Sequence, residues 1–375
     1  MTYSVFDSNN KKDSTKVNCF FDDPVTIARY DRQKYPYFEK LIGRQLGFFW
    51  RPEEVDVYRD IAEFKSLQDH EQHIFTSNLK RQILLDSVQG RSPNMAFLPI
   101  VSLPELETWI QTWAFSETIH SRSYTHIIRN IYANPSKIFD EMLDIQEIVD
   151  CAKDISDNYD QLIVMNTDMT NPHNPYEWTS CNFDNPLYEH KKALWNCLMA
   201  VNILEGLRFY ASFACSWAFA EQKKMEGNAK IIKFICRDEN LHLASTQYLL
   251  KILPQEDPDF AEIREETKDV SIKMFSDAAI QEKKWAEYLF QHGSMIGLNY
   301  EMLCDFVEYI CNKRMSSVGL EPIFKGKGKN PLPWVDKWIA GSEVQVAPQE
   351  VAISSYVVGA VRKDVSDSDL SKMSL

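Results

Sequence analysis

Two short segments of the chain carry a glutamate followed three residues later by a histidine, namely Glu117 with His120 and Glu239 with His242. Residues three apart share one face of a helix, so each pair can direct a carboxylate oxygen and an imidazole nitrogen at the same point. Both pairs lie among apolar residues at helical spacing, which predicts burial. Because buried ionised groups without partners cost several kcal/mol, the pattern predicts a bound metal ion.

Two single carboxylates on other predicted helices extend this set. Glu205 lies in the middle of a helix predicted over 186–222 that is apolar on nearly every side, and Asp86 follows Ile-Leu-Leu in a helix predicted over 67–89. Taken singly, Glu205 is explained by an ion pair with Arg208, and Asp86 by a role at a helix end or beside an arginine. Together with the two Glu-x-x-His pairs, they form the ligand set of a dinuclear carboxylate centre in a four-helix bundle.

The donor types indicate which metal such a centre would hold. Four carboxylates and two imidazoles balance the charge of two divalent cations, and mixed oxygen and nitrogen donors suit iron or manganese better than zinc or calcium. A structural zinc site would more often use thiolates. The eight cysteines never form a Cys-x-x-Cys pair, so we interpret them as reduced thiols.

Tyr124 lies one helical turn beyond His120, so its ring is expected to lean toward the metal pair. Phe209, Phe213 and Ile235 are in phase with the ligands and predict dry surroundings for the phenol. Such a pocket keeps water and reductants away, as a one-electron-oxidised tyrosine requires. A hydrogen-bonded core tyrosine is the alternative interpretation.

The elements that must position these residues are predicted to be helices. Glycine is scarce, at 12 residues, and apolar residues recur at three and four positions. We expect an all-α, ferritin-like long-helix bundle over residues 1–340 and a flexible tail over 341–375. The predicted helices span residues 24–47, 67–89, 102–131, 135–165, 186–222, 225–253, 257–291 and 299–317.

Composition limits the partners and the location. The formal net charge of −13 and the pI near 5.2 argue against nucleic-acid binding. No secretory signal and no apolar run of membrane-spanning length is visible, so we expect a cytoplasmic protein without membrane contact. The stretch KGKGKNPLPW (325–334) lacks phosphate-loop spacing, and we interpret it as an exposed basic connection.

The sequence resembles the small, radical-generating subunit of class I ribonucleotide reductase almost from end to end. The motifs that carry the resemblance are FFWRPEEVD (48–56), LLDSVQGRSPN (84–94), FSETIHSRSYTHIIRNI (115–131), RFYASFACS (208–216), MEGNAKII (225–232), RDENLHL (237–243), GSMIGLN (293–299) and QVAPQEV (345–351). The resemblance implies two iron ions per chain, with manganese as a possible substitute, and dioxygen for generating a radical that is stored on Tyr124. It assigns one metal to Asp86, Glu117 and His120 and the other to Glu205, Glu239 and His242, with Glu117 and Glu239 bridging.

The resemblance also implies a route for the oxidising equivalent, through Trp50 and Asp238 near His120 and then through Tyr356 in the tail. The tail is expected to dock on a large subunit, where ribonucleoside diphosphates are reduced, and the chain is expected to form a homodimer. Gly206 and Cys236 stand beside ligands where close relatives usually have alanine, which bears on the lifetime of the radical. An iron-storage bundle and a di-iron oxygenase or desaturase are the alternative functions.

Overall fold

The computed structural model describes residues 6–170 and 184–339, and within these ranges it is helical without a β-strand. The predicted tail therefore lies outside the described residues and stays a prediction. The α-helices are α1 (Pro36–Gly47), α2 (Tyr58–Ser66), α3 (Asp69–Gln89), α4 (Ser92–Phe97), α5 (Pro104–Ile131), α6 (Pro135–Asp140), α7 (Gln146–Thr170), α8 (Pro186–Ile203), α9 (Phe209–Glu221), α10 (Glu226–Glu256), α11 (Pro258–Glu266), α12 (Lys268–Phe290), α13 (Tyr300–Ser317) and α14 (Asp336–Ile339).

Helices α3, α5, α8, α9 and α10 form the centre of the bundle. Helix α10 packs against α5, α8 and α9, while α3 packs against α5 and α9. Every residue of α9 from Phe209 to Ala220 is buried, as expected for a helix that is apolar on all sides. The predicted long-helix bundle is therefore confirmed, and the remaining helices cover this centre.

A π-helical turn, Leu204–Arg208, joins α8 to α9 where the sequence predicts one continuous helix over 186–222. The turn contains Glu205 and Gly206, and all five of its residues are buried. π-turns inside α-helices are frequent at functional sites because the extra residue re-aims the side chains around it.

Other helix boundaries differ from the sequence prediction. The helix predicted from residue 24 begins at Pro36, which has a fixed φ suited to the first turn. The segment predicted over 135–165 is divided into α6 and α7, and that over 257–291 is divided into α11 and α12 at Thr267, whose hydroxyl donates to the Ile263 carbonyl at 2.7 Å. Helices α2, α4 and α14 were not predicted. In the described parts of the chain, no helix is both long and apolar enough to cross a bilayer.

Candidate dinuclear metal centre

Four neighbouring parts of the bundle carry the six predicted ligands. Asp86 comes from α3, the pair Glu117 and His120 from α5, Glu205 from the π-turn, and the pair Glu239 and His242 from α10. On α5 and α10 the predicted ligands share a helix face with buried apolar residues. Because that face packs into the core, the polar side chains on it also point into the interior. All six side chains are fully buried.

The six side chains form two groups that share two glutamates. Asp86, Glu117, His120 and Glu239 make one group, and Glu117, Glu205, Glu239 and His242 make the other, with the ligand atoms of each group within 4.8 Å of one another. The Nδ1 atom of His120 lies 3.0 Å from Glu117 and 3.2 Å from Glu239. The Nδ1 atom of His242 lies 3.0 Å and 2.8 Å from the same two residues. This arrangement suits two adjacent cations with bridging carboxylates.

The buried charges shift the pKa values within the cluster. Burial, followed by the carboxylates of Glu117 and Glu239, raises the pKa of Asp86 well above its usual range. Burial, followed by Glu239, does the same for Glu205. Burial alone would lower the pKa of His242, but Glu117 and Glu239 outweigh it and raise that pKa to about 9. The carboxylates therefore repel one another at close range, and bound cations would relieve this repulsion.

The hydrogen bonds of the cluster are also incomplete. Both oxygens of Asp86 and the Oε2 atom of Glu205 make no hydrogen bond of normal geometry to a described residue. Buried carboxylate oxygens need a partner, and a metal ion supplies one. The donor set of carboxylates and imidazoles fits two divalent ions of the iron or manganese type. The cluster is therefore able to hold a dinuclear metal centre.

The alternative interpretation of Glu205, an ion pair with Arg208, does not describe the structure. The Arg208 guanidinium pairs with Asp154 and lies 3.6 Å from Glu282. The Oε1 atom of Glu205 instead accepts a hydrogen bond of 2.6 Å from the Gln89 amide. The alternative for Asp86 also fails, because no arginine or helix end bonds to its oxygens among the described residues.

Tyr124 is fully buried on α5. Burial, followed by the Asp86 carboxylate, raises the pKa of Tyr124 well above its usual range. Within the described residues the hydroxyl makes no hydrogen bond of normal geometry. The hydroxyl still interacts with the Asp86 carboxylate, so the interpretation as a hydrogen-bonded core tyrosine stays open. Phe209, Phe213 and Ile235, predicted to make the surroundings apolar, are all fully buried.

Asp238 connects the cluster to Trp50. Its Oδ2 atom accepts hydrogen bonds from the Trp50 indole at 2.9 Å and from His120 Nε2 at 3.2 Å. A carboxylate on the outer nitrogen of a metal-binding imidazole fixes the ring orientation and directs Nδ1 inward. The structure thus brings Trp50, Asp238 and His120 together as anticipated, whereas Tyr356 lies outside the described residues.

Three buried residues that touch the cluster were not predicted. The Trp113 indole donates to Glu117 Oε1 at 2.9 Å, Gln89 donates to Glu205, and the Tyr159 hydroxyl donates to Gln89 at 2.9 Å. Helical spacing could have indicated two of them, because Trp113 precedes Glu117 by four residues and Gln89 follows Asp86 by three. No sequence signal marks Tyr159, because α7 carries no ligand.

Comparison with known sequences gives full-length similarities. The family model described as ribonucleotide reductase, small chain, matches residues 28–331. The chain is 55% identical to ribonucleoside-diphosphate reductase 1 subunit beta of Escherichia coli O157:H7, with all of both chains covered. It is also 55% identical to ribonucleoside-diphosphate reductase subunit beta of Haemophilus influenzae, again with all of both chains covered.

Comparison with solved structures also finds similarity to a ribonucleotide reductase subunit. The fold is similar to that of the ribonucleotide reductase R2 subunit from Clostridium botulinum, with a TM-score of 0.75 and 25% sequence identity. The match covers 90% of this chain and 98% of that structure. These similarities favour a reductase subunit over the iron-storage and oxygenase alternatives.

Proposed function

Because the chain belongs to the ribonucleotide reductase small-chain family, we propose that its six buried ligands hold two iron ions that serve to generate a stored radical on Tyr124. The chain acts as the small, or beta, subunit of ribonucleoside-diphosphate reductase, an oxidoreductase that works with a large subunit. The observation that carries the metal proposal is the sharing of Glu117 and Glu239 between two complete donor groups. Manganese fits the same donors and is the second candidate metal.

The bound di-iron pair with dioxygen would supply the one-electron oxidation of the Tyr124 phenol. The chain contributes the surroundings of that phenol. Burial excludes water from the ring, and Asp86 is the ionisable group that acts most strongly on its hydroxyl. The apolar neighbours then protect the oxidised ring from reductants.

We propose that the oxidising equivalent leaves through His120, Asp238 and Trp50, and continues through Tyr356 to the large subunit. The support is the continuous hydrogen bonding from His120 through Asp238 to Trp50. Tyr356 enters from the family resemblance alone. The substrates reduced on the large subunit would be ribonucleoside diphosphates.

A homodimer and docking through the tail at 341–375 complete the proposed assembly, both on the basis of the family resemblance. Sedimentation equilibrium is expected to give twice the chain mass of 43.6 kDa, and a mass of one chain would contradict the dimer.

A cytoplasmic location is proposed because the cysteines described by the structure are all free thiols, as in a reducing compartment.

The radical assignment is tested with Tyr124→Phe. The variant removes only the phenolic oxygen, and that oxygen makes no hydrogen bond of normal geometry to a described residue. The bundle and the six ligands should therefore be retained. After loading with ferrous iron in air, the variant is expected to bind two iron ions per chain yet give no tyrosyl signal in electron paramagnetic resonance. A signal like that of the wild-type protein would contradict the assignment to Tyr124, and failure of the wild-type protein to bind iron would contradict the metal centre.

A further inference from the structure

Gln89, the last residue of α3, connects the metal cluster to a helix that carries no ligand. Its Nε2 atom donates a hydrogen bond of 2.6 Å to Glu205 Oε1, and its Oε1 atom accepts one of 2.9 Å from the hydroxyl of Tyr159 on α7. Gln89 is fully buried and Tyr159 is 2% exposed. The two bonds form a chain that runs from α7 through α3 to a predicted ligand.

The direction of both bonds follows from the chemistry of the groups. With cations bound, Glu205 is ionised and only accepts hydrogen bonds, so the amide must then turn its NH₂ group toward this carboxylate. The amide oxygen then faces the phenol, which donates its proton. The opposite orientation of the amide would place two oxygens 2.6 Å apart in a dry site. The carboxylate thus sets the orientation of the Gln89 amide, and the Tyr159 hydroxyl stabilises that orientation by donating to the amide oxygen.

Because of this hydrogen bond, the two carboxylate oxygens of Glu205 have different surroundings. Oε1 is held by Gln89, whereas Oε2 makes no hydrogen bond of normal geometry to a described residue and lies 3.9 Å from His242 Nδ1. We infer that Gln89, held in this orientation with the help of Tyr159, is a positioning residue that leaves a single oxygen of Glu205 available to a metal ion. The inference rests on the proposed metal centre and adds the groups that set how one of its ligands binds.

The inference predicts an effect on one cation rather than on both. Glu205 belongs to only one of the two donor groups, the group that contains His242. Gln89 makes no hydrogen bond to Asp86, Glu117, His120 or Glu239 among those described. Helix α3 thus supplies a ligand, Asp86, to one cation and a positioning residue to the ligand of the other.

The test is a titration of full-length, metal-free protein with Co²⁺, followed by visible absorption, because cobalt bands depend on the number and type of ligands. The Gln89→Leu variant removes the bond to Oε1. One of the two cobalt equivalents is expected to bind about 10- to 100-fold more weakly, the usual effect of losing such an outer partner. The absorption bands of that equivalent should also change because Oε1 becomes free to coordinate, and the other equivalent should keep its affinity and spectrum.

Two tyrosine variants complete the experiment. Tyr159→Phe leaves Gln89 present but frees its amide to rotate, so it should weaken the same equivalent by a smaller factor. Tyr132→Phe is the matched control, because its hydroxyl bonds to Thr76 at 2.6 Å and touches none of the proposed ligands. The control should leave both equivalents unchanged.

The outcomes separate this inference from the proposed function. Wild-type binding of two cobalt ions with unchanged affinity and spectrum in both Gln89→Leu and Tyr159→Phe would overturn the positioning role and leave the metal centre intact. A wild-type protein that binds no cobalt would contradict the metal centre and the inference with it. If Gln89→Leu does not fold, Tyr159→Phe decides the question alone.

Discussion

Asp238 links His120 of the buried cluster to Trp50, which lies outside the predicted ligand set. One of its oxygens accepts hydrogen bonds from both His120 and Trp50, and the Ser116 hydroxyl lies 3.5 Å from the same oxygen. Because the carboxylate is fully buried, these donors compensate its charge. The side chain therefore holds a metal-binding imidazole and an indole in one fixed arrangement.

Trp50→Phe tests the proposed route at this residue. The variant loses the indole N–H, but Asp238 still accepts the bond from His120, so the ligand remains oriented. We expect the variant to bind iron and show a tyrosyl signal, and to support only background nucleotide reduction with the large subunit. The readouts are electron paramagnetic resonance and a turnover assay.

Trp285→Phe is the matched control for that experiment. Trp285 is a buried tryptophan of α12 whose indole nitrogen has no hydrogen-bond partner among the described residues. The control should keep both the signal and the turnover. Near-normal turnover of Trp50→Phe would remove Trp50 from the route.

The convergence of the six proposed ligands could be predicted in part from the sequence, because helical spacing places Glu117 beside His120 and Glu239 beside His242. Asp86 and Glu205 were predicted from their apolar surroundings. Gln89 and Tyr159 were not, because the contact between them depends on how α3 packs against α7. The spacing of residues within α3 or within α7 does not show how these two helices pack against each other.

The π-turn between α8 and α9 is stabilised from a different helix. Arg314 of α13 donates from Nε to the Gly206 carbonyl at 2.9 Å, and its guanidinium lies 4.7 Å from the centre of the Tyr210 ring. A π-turn leaves backbone carbonyls without their usual helical partners, and Arg314 satisfies one of them. The position of Glu205 thus depends on α13, which carries no ligand.

Gly206→Ala is expected to destabilise this turn. An added Cβ would lie 3.0 Å from Leu243 Cδ1 and 3.1 Å from both Cδ and Nε of Arg314. Arg314 is held by its hydrogen bond and by Tyr210, so it cannot move away at low cost. Overpacking of this kind costs about 1–3 kcal/mol, which outweighs the gain of up to about 1 kcal/mol in helix propensity. The measurement is the midpoint of thermal unfolding.

Gly43→Ala is the control for this substitution. Gly43 lies inside α1, and an added Cβ there has no atom within 4 Å. The control gains helix propensity without a clash, so its midpoint should equal or exceed that of the wild-type protein. Equal midpoints for the two variants would contradict the proposed constraint at Gly206.

The helical class and most long helices could be predicted from periodicity, whereas the interruptions could not. The π-turn keeps the hydrophobic pattern of 186–222 almost unchanged, because residues on every side of it are buried. At Thr267 the helix is interrupted although helical hydrogen bonds continue on both sides, since the Thr267 and Ser271 amides still donate to carbonyls four residues earlier. The break at Thr267 has no glycine or proline beside it, and Gly206 in the π-turn is surrounded by an unbroken apolar pattern that predicts one continuous helix.

On the scale of the whole molecule, we propose separate tasks for the described helices and for the tail predicted over 341–375. The six ligands, Tyr124, Asp238 and Trp50 all lie between residues 50 and 242 inside the bundle. The sequence from 341 to 375 is rich in serine, aspartate and valine and is predicted to be flexible. We therefore expect metal binding and partner binding to be separable by truncation.

A chain that ends at residue 340 tests this separation. It should bind iron and give the tyrosyl signal, because every proposed ligand is retained, and it should not associate with the large subunit. Sedimentation velocity of the mixed subunits measures the association, with the full-length chain as the control. Unchanged association of the truncated chain would show that docking uses another surface.

The outer nitrogens of the two ligand histidines have different surroundings. His120 Nε2 meets Asp238, whereas His242 Nε2 has no hydrogen-bond partner among the described residues and its ring lies near the rings of Trp109 and Trp113. The two Glu-x-x-His pairs have the same sequence pattern, but their histidine rings therefore lie in different electrostatic surroundings. Among the described residues, Asp238 joins the outer nitrogen of His120 to an indole, and the outer nitrogen of His242 has no such link. The proposed electron route would therefore leave from the His120 side, and one aspartate would set its direction.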